Sequence, residues 1–381
     1  MNDYRSESLL LLGADSETAL RQLAADAIAV IRRDDAALAT VASLGDGPWR
    51  AAVVARQPDG LADQLERIEP RRASRPPRIG FVFPGQGVAA AAGPGALAGT
   101  AARIEELYEH AALGDAEVER PLVQLAVATA ALAALAAVGE YGLTADLAVG
   151  HSLGELVALH WAGALSERAV QRLARARGAA MTTGVVDGAM AALLAVRSTV
   201  EDVINGSPVV IACENGPANF VISGPSADVA SVVARAREAG VRALPLQVTG
   251  AFHSPSMAPA VECFSAHLAA ERISTPTRTV ISTVTGTALS AEDDLHALLR
   301  HQIQAPVLFV NAASEAADRV DLLVELGPGR TMTALLRSIT DVPCVSVRTD
   351  AGDRRGLYEA LARAHVLGAR LRIPALETSF A

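Results

Sequence analysis

The stretch Leu147-Ala-Val-Gly-His-Ser-Leu-Gly-Glu155 governs how the rest of the chain is read. Leu147-Ala-Val149 is a short apolar run with the texture of a buried strand. Gly150-His151-Ser152-Leu153-Gly154 then sets a serine between two glycines, and Glu155-Leu-Val-Ala-Leu-His-Trp161 opens a helix. This is the G-x-S-x-G elbow, a strained strand-to-helix turn that presents a hydroxyl and whose glycines let neighbouring backbone approach. The first N–H groups of a helix have no intrahelical partner, so the amide of Leu153 can donate to an oxyanion formed when Ser152 attacks a carbonyl. The same five-residue pattern also recurs in glycine-rich turns that carry no chemistry, so the serine needs a base and a context.

Working outward, Ile79-Gly-Phe-Val-Phe83 reads as another buried parallel strand, with Pro84-Gly-Gln-Gly87 as the turn after it. Alanine-rich helices are expected over 103–110 and 122–138, followed by strands at 279–283 and 322–326 with a helix over 290–302 between them. Strand and helix alternate as in an α/β domain with a mostly parallel sheet. From about Gly188 the order changes to β-α-β-β-α-β: strand 190–196, a helix near Val200, strands 209–213 and 220–223, a helix over 226–239 and strand 243–248. That order predicts an inserted ferredoxin-like subdomain. Residues 1–68 read as a small α+β unit: strand Leu9-Leu-Leu-Leu12, helix 16–33, strand 50–55 and a short helix. A proline- and arginine-rich connector, Glu69-Pro-Arg-Arg-Ala-Ser-Arg-Pro-Pro-Arg78, closes it, since its prolines continue neither element. The expected division is 1–76, then a core of 77–186 and 252–381 interrupted by 187–251.

Composition narrows the chemistry. All 33 basic residues are arginine. Without lysine there is no Schiff-base catalysis and no ordinary phosphate-binding P-loop. A net charge of -9 argues against a nucleic-acid binder. The longest apolar stretch, around 122–138, is alanine-heavy, and nothing near the N-terminus reads as a signal, so no membrane span is expected. Cys213, Cys263 and Cys344 lack CxxC spacing, which predicts buried free thiols in a reducing, cytoplasmic compartment and no metal site.

Eight histidines could supply the base. His110, His160, His267, His296 and His365 fall within helical segments, His301 lies at a helix end, and His151 adjoins the serine with its ring directed away. His253 lies in Val248-Thr-Gly-Ala-Phe-His-Ser-Pro255, a loop after a strand and before a proline-started helix, where a catalytic base is usually carried.

Phe83-Pro-Gly-Gln-Gly87, Gly150-His-Ser-Leu-Gly-Glu155, Gly250-Ala-Phe-His253 with Ser254-Pro255, and Glu325-Leu-Gly-Pro-Gly329 together resemble the acyltransferase domains of modular polyketide synthases. They are also similar to the malonyl-CoA:acyl-carrier-protein transacylases of fatty-acid synthesis. The likeness covers about residues 77–350, and the segment before it resembles the linker that joins a ketosynthase to its acyltransferase. The resemblance implies an α/β-hydrolase-like core with an inserted ferredoxin-like subdomain, preceded by a small α+β linker domain. It implies a ping-pong transfer in which Ser152 takes an acyl group from coenzyme A, with His253 as base, and gives it to the phosphopantetheine thiol of an acyl carrier protein. The backbone amides of Leu153 and Gln86 would hold the oxyanion. Gln302, in Gln302-Ile-Gln-Ala-Pro-Val307, would orient His253 through its carbonyl, leaving no need for a third carboxylate. Asp187, Asp202 and Glu214 are then structural or solvent-facing.

Arg177 aligns with the family residue that binds the malonyl carboxylate, a task suited to the bidentate fork of a guanidinium. The family's box before the catalytic histidine is HAFH for malonyl or YASH for methylmalonyl; this chain has GAFH. Phe252 keeps the bulk that favours malonyl, while Gly250 removes a side chain and opens room for a longer branch, so malonyl-CoA or an unusual alkylmalonyl-CoA is the expected donor. A Ser-His acyl hydrolase, a transferase of non-malonyl or aminoacyl groups, and a non-catalytic scaffold are alternatives at this point. Docking of an acidic carrier protein is expected on arginines, with Arg71, Arg72, Arg75 and Arg78 as candidates. Coenzyme A enters as substrate, and no bound cofactor is expected.

Overall fold

The computed structural model describes residues 7–32, 41–56, 58–87, 91–113, 122–183, 187–248 and 250–373. The ends of the expected units at residues 1, 186 and 381, and the last residue of the helix expected over 16–33, lie outside them.

The first unit comprises β1 (Ser8–Ala14), α1 (Glu17–Ile31), β2 (Val41–Leu44), β3 (Trp49–Ala55), α2 (Pro58–Glu66) and β4 (Arg71–Arg72), with sheet order β2-β1-β3-β4. Ser16 caps α1 by accepting the Ala19 N–H at 3.1 Å. The leucine run of β1 is unbroken because both faces of the strand are buried: Leu10 and Leu12 pack into this unit's own core and Leu9 and Leu11 into the main core. Strands β2 and β4 escape the sequence reading. β2 is four residues long, and β4 is a two-residue pairing inside the connector.

The main unit starts with β5 (Ile79–Phe83), α3 (Ala102–Ala111), α4 (Val123–Glu140), β6 (Leu147–Gly150), α5 (Gly154–Trp161) and α6 (Glu167–Thr183). The insert follows as β7 (Ala189–Leu194), α7 (Arg197–Ile204), β8 (Val210–Gly216), β9 (Asn219–Gly224), α8 (Ser226–Glu238) and β10 (Arg242–Pro245). Its sheet order β10-β7-β9-β8, antiparallel throughout, is the ferredoxin-like arrangement expected from the element order. The main unit resumes with α9 (Ala258–Ala269), β11 (Thr279–Ser282), α10 (Leu295–Gln302), α11 (Phe309–Ala317), β12 (Leu322–Gly327), α12 (Thr331–Leu336), β13 (Cys344–Arg348) and α13 (Arg355–Leu367). Five parallel strands in the order β11-β6-β5-β12-β13 form its sheet. β5 and β6 lie side by side, so the loops leaving their carboxyl ends meet, which is where open α/β sheets place their sites.

Several expectations are corrected. The helix expected from Ser290 begins at Leu295, because Asp294 caps it by accepting the Ala297 N–H at 3.0 Å while Asp293 holds the Ser290 N–H in the turn before it. β10 stops at Pro245 rather than Val248, proline having no N–H to extend a ladder. β7 ends at Leu194, and Val196 becomes the N-cap of α7. Of the three cysteines only Cys213 is buried; Cys263 is exposed because α9 turns Ala260, Phe264 and Leu268 inward and leaves it on the other face. Helix α4 is apolar and long enough by composition to cross a membrane, but 72% of its length lies buried in the protein as a core helix.

Candidate active site

Ser152 occupies the turn between β6 and α5 with φ 53°, and His253 occupies its own turn with φ 57°. A left-handed backbone at a residue other than glycine costs on the order of 1–3 kcal/mol and persists only where the surroundings over-determine it. Both flanking glycines of the elbow are sterically required. A Cβ on Gly150 would lie 2.3 Å from the Glu155 nitrogen, and one on Gly154 would lie 2.3 Å from the Phe83 carbonyl oxygen.

The Ser152 hydroxyl lies 2.8 Å from His253 Nε2. His253 Nδ1 faces two main-chain carbonyls, Ala305 at 2.9 Å and Gln302 at 3.1 Å. Nδ1 therefore carries the proton, and Nε2 has the free lone pair that accepts from Ser152. Burial, reinforced by Arg177, pushes the imidazole down to about 3, so it stands neutral. The carbonyl expected from Gln302 is present, shared with the closer Ala305. The Gln302 side chain does something else: its Nε2 donates to the Ser152 carbonyl at 3.0 Å and to Glu155 Oε2 at 2.7 Å.

The main-chain N–H groups of Leu153 and Gln86 border the same turn, and neither has a hydrogen-bond acceptor among the described residues. Gly85 lets its loop approach, since a Cβ there would lie 2.8 Å from the His151 carbonyl oxygen. His151 turns away from the serine: its Nε2 donates to Asn215 Oδ1 at 2.8 Å and its ring packs against Phe309.

Arg177 reaches the site from α6 and is 1% exposed. Its Nη1 donates to Gln124 Oε1 at 2.8 Å, its Nη2 donates to Ser152 Oγ at 3.0 Å, and its Nε has no partner among the described residues. Burial lowers the guanidinium to about 10, offset in part by the field of Glu155, so it remains a cation at neutral pH. Gln124 also donates to the Gln86 side chain at 2.7 Å, tying the Arg177 fork to the loop that carries the Gln86 amide. Phe252 is half-buried at the seam between two apolar clusters. Gly250 has φ 128° and donates its N–H to Gly188 O at 3.0 Å; a side chain there is disfavoured by the backbone itself, independently of pocket room.

Two site residues escaped the sequence reading. Gln124 is a buried polar side chain inside the apolar helix α4, and that contrast was its only sequence signal. Glu155 stood within the quoted motif but has the position of an ordinary first-turn helix acid. It is fully buried. Asp187 and Glu214 have structural roles: Asp187 accepts from Ser226 at 2.6 Å and Glu214 pairs with Arg197, while Asp202 is exposed. In the connector, Arg75 and Arg78 both engage Asp321, at 2.7 and 3.3 Å, which leaves Arg71 and Arg72 as its exposed arginines without such a partner among the described residues.

Residues 115–369 match the model of the acyl transferase domain family. The chain belongs to that family. The acyl transferase domain is 32% identical over 400 residues to mycoketide-CoA synthase of Mycobacterium tuberculosis, covering 94% of this chain and 10% of that protein. It is 36% identical over 226 residues to the malonyl CoA-acyl carrier protein transacylase of Bacillus subtilis, covering 57% of this chain and 71% of the other. The chain thus spans a small part of the synthase and most of the transacylase. Among solved structures, the acyltransferase domain of the iterative polyketide synthase in enediyne biosynthesis superposes with a TM-score of 0.81 at 30% identity, over 96% of this chain and 97% of that one. The mixed α/β architecture and the family resemblance read from the motifs are both borne out, and the acyl transferase domain is an acyltransferase of the polyketide synthase and malonyl transacylase kind.

Proposed function

We propose that this acyl transferase domain moves a malonyl or alkylmalonyl group from coenzyme A to the phosphopantetheine thiol of an acyl carrier protein through an ester on Ser152. Ser152 Oγ attacks the thioester carbonyl while its proton passes to His253 Nε2, and the oxyanion that forms accepts from the N–H groups of Leu153 and Gln86. The C–S bond then breaks and the leaving thiolate takes the proton from His253. The second half runs in reverse: His253 deprotonates the phosphopantetheine thiol, which attacks the ester and regenerates the Ser152 hydroxyl. The chain needs to hold no cofactor for this sequence, because coenzyme A and phosphopantetheine arrive as handles of the two substrates.

The observation that carries the substrate class is Arg177. Its unpartnered Nε and its Nη2, lying on the serine hydroxyl, form one edge of a buried guanidinium that no carboxylate touches among the described residues. A free carboxylate on the acyl group completes that edge with two parallel charge-assisted bonds and lays the thioester carbon beside Ser152. Phe252 and Gly250 are the candidates for setting how large a branch at C2 is accepted, where one methylene is worth roughly 10- to 200-fold.

The test is intact mass after exposure to malonyl-, methylmalonyl-, longer alkylmalonyl- and acetyl-CoA. A dicarboxylic adduct is expected on the wild type and none on Ser152→Ala, with the adduct persisting in buffer and passing to added holo carrier protein. Rapid loss to water without a thiol identifies a hydrolase instead. Loss of two charge-assisted bonds in Arg177→Ala should lower malonyl loading by roughly 10²- to 10⁴-fold while sparing acetyl; an equal fall for both refutes the carboxylate fork.

A further inference from the structure

Ser152 and His253 lie 101 positions apart in the chain, and both hold left-handed backbone. Something has to lock the two turns to each other. The end of α10 and the segment after it grip the histidine three times: the His253 N–H donates to Ile303 O at 3.2 Å, and Nδ1 donates to the Ala305 and Gln302 carbonyls. Only the Gln302 side chain, among these, also reaches the serine turn, through the Ser152 carbonyl. A carboxamide can flip, exchanging its NH2 for an oxygen that would repel that carbonyl. Glu155 prevents the flip. As an acceptor at 2.7 Å, it forces Nε2 of Gln302 toward both the carboxylate and Ser152 O.

We propose that Glu155 is a positioning residue for acyl transfer, holding the Ser152 turn and the His253 loop in register through the Gln302 carboxamide. This rests on the Ser152 acyl-enzyme proposed above. Packing alone does not account for a carboxylate there. Its Oε1 has no hydrogen-bond partner among the described residues, and Thr283 Oγ1 approaches Oε2 only at 3.5 Å. An apolar residue of that shape would remove the desolvation cost, so the charge itself has the role.

The groups that bear on this centre are few. Burial raises the Glu155 carboxyl to about 7, outweighing the Gln302 and Thr283 hydrogen bonds and the field of Arg177 from α6, which favour its ionised form. His253 is held far below that, with Arg177 and His151 both disfavouring its protonation. A change of acylation rate near neutral pH therefore belongs to Glu155, and its sign is fixed: the ionised form, present at higher pH, is the acceptor that keeps the Gln302 carboxamide turned toward Ser152.

The experiment is single-turnover loading of Ser152 from malonyl-CoA as a function of pH, in the full chain. Wild-type loading should rise through pH of about 7, where Glu155 ionises. Glu155→Gln should load roughly 10- to 100-fold more slowly, the usual cost of removing an outer group that orients a reacting one, with KM for malonyl-CoA unchanged and the rise abolished. Glu155→Asp, which keeps the charge, should restore the rise. Glu155→Gln loading at the wild-type rate, or keeping the rise, overturns the inference. Should Glu155→Gln not fold, Gln302→Ala, with the carboxylate intact, has to show the same flattened profile, and a wild-type profile there also overturns it. No label on wild-type Ser152 instead removes the acyl-enzyme on which the inference stands.

Discussion

Gly154→Ala tests the elbow most directly, because its consequences follow from distances. The added methyl would lie 2.3 Å from the Phe83 carbonyl oxygen and 2.8 Å from both the Phe83 carbonyl carbon and the Pro84 oxygen. Ordinary contact begins at 3.4 Å, so the two chain segments must separate by about 1.1 Å. All three obstacles are backbone, so no side chain can rotate out of the way. The segment displaced, Phe83–Pro84, leads to the Gln86 N–H, and Gly154 itself follows Leu153. The substitution therefore spreads the two amides proposed to hold the oxyanion. Overpacking of this kind costs about 1–3 kcal/mol, and a misplacement of about 1 Å lowers rate on the order of 100-fold. Urea unfolding gives the first quantity and single-turnover loading of Ser152 the second. Gly139→Ala is the control, since a Cβ there meets nothing within 4 Å. Wild-type loading by Gly154→Ala refutes the close approach as a catalytic requirement; lost stability with full loading refutes the placement of the oxyanion between these segments.

Further outcomes can be measured alongside. His253→Ala should slow loading by roughly 10²- to 10⁴-fold, the usual contribution of a general base, with an unchanged circular dichroism spectrum; retained loading removes His253 as base. The same variant reports on stability. The imidazole is neutral in the fold down to about 3, whereas an unfolded histidine takes up a proton near 6.5. Between those values the unfolded chain binds more protons, so stability drops as pH is lowered. Wild type should lose up to about 1.4 kcal/mol per pH unit in that window relative to His253→Ala, Glu155 cancelling in the difference to a first approximation; a difference that stays flat contradicts a buried neutral histidine. Arg50→Ala should weaken the seam between the first unit and α13, where Arg50 Nη1 donates to Ala369 O at 2.7 Å and His365 O at 3.3 Å. Unsatisfied carbonyls there cost roughly 1–3 kcal/mol, read as a lower melting temperature with Ser152 loading unaffected, and an unchanged melting temperature rejects that role.

The features legible in the sequence were those whose physics is local. An apolar run, a glycine-serine-glycine turn and a helix start sufficed to place Ser152, since φ 53° at the serine and the contacts of Gly150 and Gly154 involve short-range backbone geometry and one neighbouring strand. The β-α-β-β-α-β order of the insert was likewise written in periodicity. His253 could be nominated from its loop, yet its 2.8 Å approach to a serine 101 positions earlier is a product of the fold. So are the neutral imidazole, the lone guanidinium beside the hydroxyl and the shared carbonyls of Ala305 and Gln302, because burial and the low polarity it brings are properties of the assembled core. Glu155 shows the division most clearly. In sequence it is an acid at a helix start, where solvent and the helix dipole suit it; the tertiary structure packs α5 against β11 and Gln302, buries the carboxyl, raises it to about 7 and ties it through Gln302 to the Ser152 turn.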